Sequence, residues 1–346
     1  MADSLFKRVN NAVYNNPPTA NGRTADIHIT EHGSDYYFAL CAFFGFMGIV
    51  FMGSSLTKRR TDRVFFYIAA GINFIASISY YTMGSNLGMT PIAVEFQHPC
   101  STGPRVCGNE REVFWVRYVD WYSPMAITTP MILLEVLLTS GMPAPTILFA
   151  MFMDEIMIIM GLVGAVTVTG YKWGFFAFGC AAMFFVFWIL IWQGRKYAQH
   201  LGSDIHKAYI LPVVWLLIVW FCYPVCWGVS EGGNVIAPDS EAVYYGILDL
   251  LAKPFFSILT LSLHRKIDPA RMGLKFRDYD EDFFHGHWRP ERDSHVPQIP
   301  RDPEKEEPPA GDGVRGGGSG DAQPAAAAAN GQDTAAPPAP PPASSE

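Results

Sequence analysis

Long apolar runs separated by short polar breaks dominate the first three quarters of the chain. The runs fall at 36–57, 64–84, 113–138, 145–169, 174–193, 207–229 and 242–263. Each reaches the ~20 residues that carry a helix across a ~30 Å hydrocarbon layer, and helices buried in soluble domains are usually shorter. The pattern predicts an all-α fold, a seven-transmembrane-helix bundle over residues 36–265.

The polar breaks predict its orientation. "TKRRTDR" after the first run, "QGRKYAQHLGSDIHK" between the fifth and sixth, and "HRKIDPARMGLKFR" after the seventh are rich in Lys and Arg. "TGYKW" and "SEGGNVIAPDSE" on the opposite side are poor in them. Basic loops stay in the cytoplasm, which puts the N-terminus outside and the C-terminus inside. Residues 1–35 then form a polar extracellular segment without the apolar stretch of a signal peptide, so the first run is expected to act as its own insertion signal. Residues 266–346 form a cytoplasmic tail, expected to be disordered from about residue 290, where almost no apolar side chain exceeds Ala.

Composition narrows the chemistry. Half of the 346 residues are hydrophobic, 16% are charged, and the net charge of −7 comes with no basic run, so no nucleic-acid partner is expected. The sequence carries no Gly-rich phosphate loop, no convincing nucleophile elbow and no zinc-ligand spacing. Neither an enzyme nor a metal site is expected. Cys41, Cys180, Cys222 and Cys226 fall in apolar runs and are expected to pack there. Cys100 and Cys107 lie in the outside loop 85–112, a compartment that permits a disulfide.

Ionisable residues within the runs carry the functional signal, because charge at bilayer depth is costly and usually kept for a purpose. Glu241, Tyr245, Asp249 and Lys253 step by four in the seventh run and share one helix face. The plain reading is an Asp249–Lys253 ion pair, which rarely repays its desolvation. The chemical reading is a desolvated amine able to condense with an aldehyde. In the sixth run Trp220, Tyr223 and Trp227 make an aromatic stripe continued by Glu231, an arrangement that ordinary packing also produces, and Pro224 is expected to kink it. In the third run Arg117 and Asp120 are one turn apart, compatible with an interface salt bridge. Glu135 is set among Met, Ile and Leu, where a carboxyl costs least as the neutral acid, the form of a proton reservoir. Asp154 and Glu155 in the fourth run point about 100° apart, so at least one should face the bundle and bond a neighbouring helix.

"RYVDW", "TTPMILLE", "GLVGA", "YPVCWGVSEG" and "LDLLAKPFF" occur in the order found in microbial rhodopsins. Over residues 36–265 the chain resembles that family, in particular its fungal, bacteriorhodopsin-like branch. The resemblance implies all-trans-retinal bound covalently to Lys253 as a protonated Schiff base, with Asp120 and Asp249 as counterions and Asp120 as proton acceptor. It implies a retinal box of Trp121, Trp220, Tyr223 and Trp227, joined by Tyr80, Asp154, Met157 and Met183. Phe176 stands where a tryptophan is usual, and Gly179 where a hydroxyl is usual. Arg117 matches the exit gate, Glu231 and Glu241 the outer release pair, and Glu135 the inner proton donor.

The function implied is an outward light-driven proton pump in the plasma membrane, with retinal, protons and the lipid bilayer as its partners. A homo-oligomer is compatible with this, and nothing in the sequence requires one. The alternative is a photosensory rhodopsin with a slow photocycle and little net transport. A retinal-free seven-helix receptor is a further rival, against which Lys253 argues. One feature departs from the family: Asp120 and Glu135 are fifteen residues apart, four more than usual, with the surplus around Pro124 in "YSPMAI". A continuous helix would separate them by about 22 Å rather than about 16 Å. Either a kink or bulge absorbs the extra turn, or one carboxylate is displaced.

Overall fold

The computed structural model describes residues 10–59, 62–101, 103, 105–121 and 128–274. The surplus segment around Pro124 and the tail expected to be disordered lie outside the described residues. The helices are α1 (Ala12–Asn15), α2 (Glu31–Ser55), α3 (Arg63–Gly84), α4 (Trp115–Trp121), α5 (Thr128–Thr139), α6 (Ala144–Val166), α7 (Lys172–Trp188), α8 (Arg195–Leu201), α9 (Ser203–Trp227), α10 (Pro238–Ala252) and α11 (Pro254–His264). A π-helical segment, Ile189–Gly194, joins α7 to α8, and another, Gly228–Gly232, extends α9.

Six of the expected crossings are helices long and apolar enough to span a bilayer. The remaining run, 113–138, falls on α4 and α5, of 7 and 12 residues. Lipid-facing and interior surfaces are clearly divided. Phe46, Leu148, Phe178 and Ile218 are each more than 60% exposed, whereas Arg117, Asp120, Glu135, Asp154, Asp249 and Lys253 are buried. That distribution is unfavourable in water and natural in hydrocarbon.

Local chemistry sets the helix ends. Thr30 caps α2 by accepting the His32 N–H at 3.2 Å, so the helix starts five residues before the apolar run, in polar sequence. Proline opens α10 and α11, where its missing N–H is not needed. Pro254 has a second effect. It cannot bond the Leu250 carbonyl, and Lys253, the residue before it, departs from helical geometry with φ −108° and ψ −87° while its N–H still donates to the Asp249 carbonyl at 3.0 Å. The seventh crossing therefore breaks at its lysine. Pro224, by contrast, lies within a helix that runs unbroken from Ser203 to Trp227.

The loop 85–112 contains a hairpin. Beside the short N-terminal pair β1 (Thr19–Ala20) and β2 (Arg23–Thr24), strand β3 (Thr90–Ala93) of this loop pairs antiparallel with β4 (Glu110–Val113), with Thr90 opposite Val113, and a Cys100–Cys107 disulfide lies between them in sequence. The N-terminal segment packs on the hairpin: Ile27 bridges Arg111 in parallel, and the Ile29 N–H donates to Glu112 at 3.0 Å. Thr30 is tied to the start of α10 through two bonds to Asp239, at 2.8 and 2.7 Å. These contacts were not legible in the alternation of the sequence, because the segments are short and mostly polar.

The junction of α4 with α5 answers the spacing question. The Thr128 hydroxyl donates to the Asp120 carbonyl at 2.9 Å, and the Thr129 hydroxyl to the Trp121 carbonyl at 3.0 Å. A helical threonine bonds the carbonyl three or four residues back. Here the partner is eight back, so α5 resumes the register of α4 as though four residues were missing. Asp120 and Glu135 are thus eleven helical steps apart rather than fifteen, about 16 Å. A chain lacking residues 123–126 is predicted to fold with a melting temperature within about 4 °C of the full chain, a change of about 1 kcal/mol. Loss of folded protein would show that α4 and α5 need the segment.

Candidate functional site

The helix break presents the Lys253 amine to the middle of the bundle. Its Nζ lies 2.5 Å from Asp120 Oδ2 of α4 and 3.0 Å from Asp249 Oδ2, one turn earlier on α10. All three side chains are almost wholly buried. Asp249 is saturated: Tyr80 of α3 donates to Oδ2 at 2.8 Å and Tyr223 of α9 to Oδ1 at 2.5 Å. The Asp120 Oδ1 atom has no partner among the described residues. The Phe44 ring lies 5.8 Å from Nζ and adds a weak cation–π attraction. Two anions facing one buried cation make desolvation tolerable.

Beside this triad is a cavity walled almost wholly by apolar and aromatic side chains, the character of a small-molecule site. Trp121, Met157, Phe176, Met183, Trp220, Tyr223, Trp227 and Lys253 line it. Its walls are mutually braced: Phe176 stacks on Trp227 at 4.9 Å, and Trp121 meets Tyr223 edge-on at 5.3 Å. Gly179 also lines it, on a face of α7 where a Cβ would come within 3.3 Å of the Met157 carbonyl. Sequence reasoning missed Tyr118 and Ile132 as wall residues, since nothing in their spacing distinguishes them from core. Tyr245 lines the cavity too, and its place on the stripe of four was the signal.

Three expectations need correction. Tyr80 does not line the cavity; its hydroxyl is held by Asp249 and its ring stacks on Phe44 at 5.2 Å. Asp154 does not line it either; it is fully buried and faces the Thr129 hydroxyl of the neighbouring helix α5. Arg117 and Asp120 do not form an ion pair with each other among the described contacts, because each finds a partner on α10 or at its end. Glu135 is fully buried with both oxygens unpartnered among the described residues.

Arg117 turns the other way from Lys253. Its guanidinium donates to Glu241 at 2.5 Å, Glu231 at 3.2 Å and the Tyr37 hydroxyl at 2.9 Å, and it lies 4.2 Å from the centre of the Tyr245 ring. Glu231 also accepts from Tyr118, Tyr245 and Ser230, at 3.2, 3.2 and 2.6 Å. The second oxygen of Glu241 accepts from Arg111 of β4 at 2.7 Å. Next to Arg111, Glu112 is 1% exposed. Neither hairpin residue was expected here.

Burial pushes the Glu112 carboxyl from an ordinary 4.5 up to about 8, opposed by the Ile29 N–H and Arg111 and reinforced by Glu241 and Asp239. Above 4.5 the unfolded chain has lost this proton while the folded chain keeps it until about 8, so stability falls as pH rises through that window and levels off beyond it. Thermal melting across this range is predicted to show the decline in wild type and a flatter profile in Glu112→Gln. Equal slopes in the two proteins would contradict it.

Comparison with known proteins places the chain in a family. Residues 32–267 match the family model described as bacteriorhodopsin-like protein. Opsin-like protein carO of Fusarium fujikuroi is 52% identical over 284 residues, covering 82% of this chain and 90% of its own length. The solved light-driven proton pump CsR of Coccomyxa subellipsoidea superposes with a TM-score of 0.62 at 31% identity, covering 68% of this chain and 98% of its own. The light-driven proton pump LR (Mac) of Leptosphaeria maculans gives 0.63 at 29% identity, covering 70% and 99%. With its helices, its buried lysine and its motif order all in the family's pattern, the chain belongs to the bacteriorhodopsin-like proteins, among relatives that include fungal opsins.

Proposed function

We propose that this protein is a light-driven outward proton pump carrying all-trans-retinal covalently at Lys253. The observation that supports it best is a buried amine held between Asp120 and Asp249 on the wall of an aromatic cavity. The residues fit the group. The lining is apolar and braced, and Asp120 keeps one oxygen without a partner beside the amine. Bound there as a Schiff base, retinal would supply a light-driven isomerisation that re-aims the proton on the lysine nitrogen.

The chain's own residues do the rest. Asp120, 2.5 Å from Nζ, is placed to take that proton. Asp249, saturated by Tyr80 and Tyr223, is a poorer acceptor and remains the fixed counter-charge. Neutralising Asp120 removes a negative charge one helical turn from Arg117, which frees the guanidinium to shift its weight among Glu231, Glu241 and Tyr37. A proton then leaves the outer end. Glu135, about 16 Å along the same rod, keeps its own proton until water reaches it, returns it to the centre and reloads from the opposite side. The Lys- and Arg-rich loops support an extracellular N-terminus and a cytoplasmic C-terminus, hence outward transport across the plasma membrane.

Cells expressing the protein with all-trans-retinal are expected to acidify a weakly buffered medium on illumination, and a protonophore should abolish the change. A coloured protein without acidification would favour the sensory alternative instead. Lys253→Ala should form no pigment under the same conditions; a coloured variant would defeat the attachment site. Glu135→Gln should keep its colour but return to the dark state about a hundredfold more slowly, the usual loss for one positioned proton donor. Unchanged recovery would assign the donor elsewhere.

A further inference from the structure

The outer cluster holds more carboxyl groups than its cations can match. Arg117 and Arg111 together occupy both oxygens of Glu241, and Arg117 also reaches Glu231. Three hydroxyls complete the shell of Glu231. Lys172 touches the Glu231 carbonyl at 3.5 Å, and Glu95 is the anion that faces it from the hairpin side. Each cation in the cluster therefore has an anion. Arg111 directs the rest of its fork to Asn234 and the Ile236 carbonyl, at 2.8 and 2.9 Å.

Glu112 is left over. One of its oxygens accepts the Ile29 N–H, and the other, Oε1, has no partner among the described residues. The groups that face it are Arg111 on its own strand, Glu241 and Asp239 on α10, and Tyr37 on α2. Asp239 is engaged by Thr30, and the Tyr37 hydroxyl by Arg117. Ionised, Glu112 would add a buried charge with no cation of its own, which costs far more than an unbonded O–H.

We propose that Glu112, rather than the Glu231/Glu241 pair, stores the proton that is released at the outer end. The assignment rests on the pumping reading above and deepens it. In the dark Glu112 is the neutral acid. When Asp120 is neutralised, the balance of the adjoining charges moves toward positive, the Glu112 O–H bond breaks, and its proton passes to water while the electron pair stays on the carboxylate. Burial, which pushes this carboxyl up to about 8, keeps the store filled at neutral pH. The acid is later refilled from the outer medium or by the Asp120 proton.

The test uses the full-length pigment in detergent with a pH-indicator dye and single light flashes. Wild type should release a proton early, before uptake, and this early phase should fade as the pH is raised through about 8. In Glu112→Gln the early phase should be missing at every pH, with release delayed to the end of the cycle, and Glu112→Asp should restore it with a shifted pH profile. Early release of wild-type size in Glu112→Gln would overturn the proposal and return the role to Glu231 and Glu241. A second readout needs no pumping. Infrared spectra of the dark protein below and above about 8 should lose a carboxylic-acid C=O band that Glu112→Gln lacks and Glu112→Asp displaces. A wild-type spectrum without such a band overturns the store even if the protein pumps. Wild type that titrates this band but never acidifies the medium would instead refute the pumping reading.

Discussion

One cation buried among anions governs the rest of this molecule. Lys253 cannot be placed in a hydrocarbon interior without Asp120 and Asp249, and those two acids cannot be placed there without it. The surrounding structure keeps the three together. Pro254 takes Lys253 out of the helix, Tyr80 and Tyr223 fix Asp249 from two other helices, and Arg117 is drawn outward by glutamates so that it does not compete for Asp120. Four crossings thus contribute to a single electrostatic knot.

Polar satisfaction is graded along the bundle. The end next to the β3–β4 hairpin is dense with bonds, and every carboxyl oxygen of Glu231 and Glu241 meets a donor. The centre is half satisfied, with one oxygen of Asp120 unmet. Towards the other end, both oxygens of Glu135 are without a partner among the described residues. Charge moves easily where dipoles are already arranged and moves with difficulty where water must first enter.

Much of this was legible in the chain itself. Hydrophobic run length located the crossings, and the step of four in Glu241, Tyr245, Asp249 and Lys253 located the central stripe, because helical geometry puts such residues on one face. What sequence could not show was partner choice across helices. Arg117 and Asp120 are natural neighbours on α4, yet each is claimed by groups more than a hundred residues away. Tyr80 was expected on the cavity wall and instead spends its hydroxyl on Asp249. Arg111 and Glu112 were invisible for a different reason: they lie in a short polar hairpin, where neither period nor hydrophobicity marks a buried residue.

The threonine bonds that bridge α4 and α5 bear on how this chain should be aligned with its relatives. Counting along the chain would place everything after Trp121 one turn too deep, and would match Glu135 to a position one turn away on the same helix face. Matching by carbonyl partner instead puts the gap between Trp121 and Thr128 and brings the two halves of the rod back into correspondence. Evolutionary trees or ancestral reconstructions for this branch should carry their gap at that point.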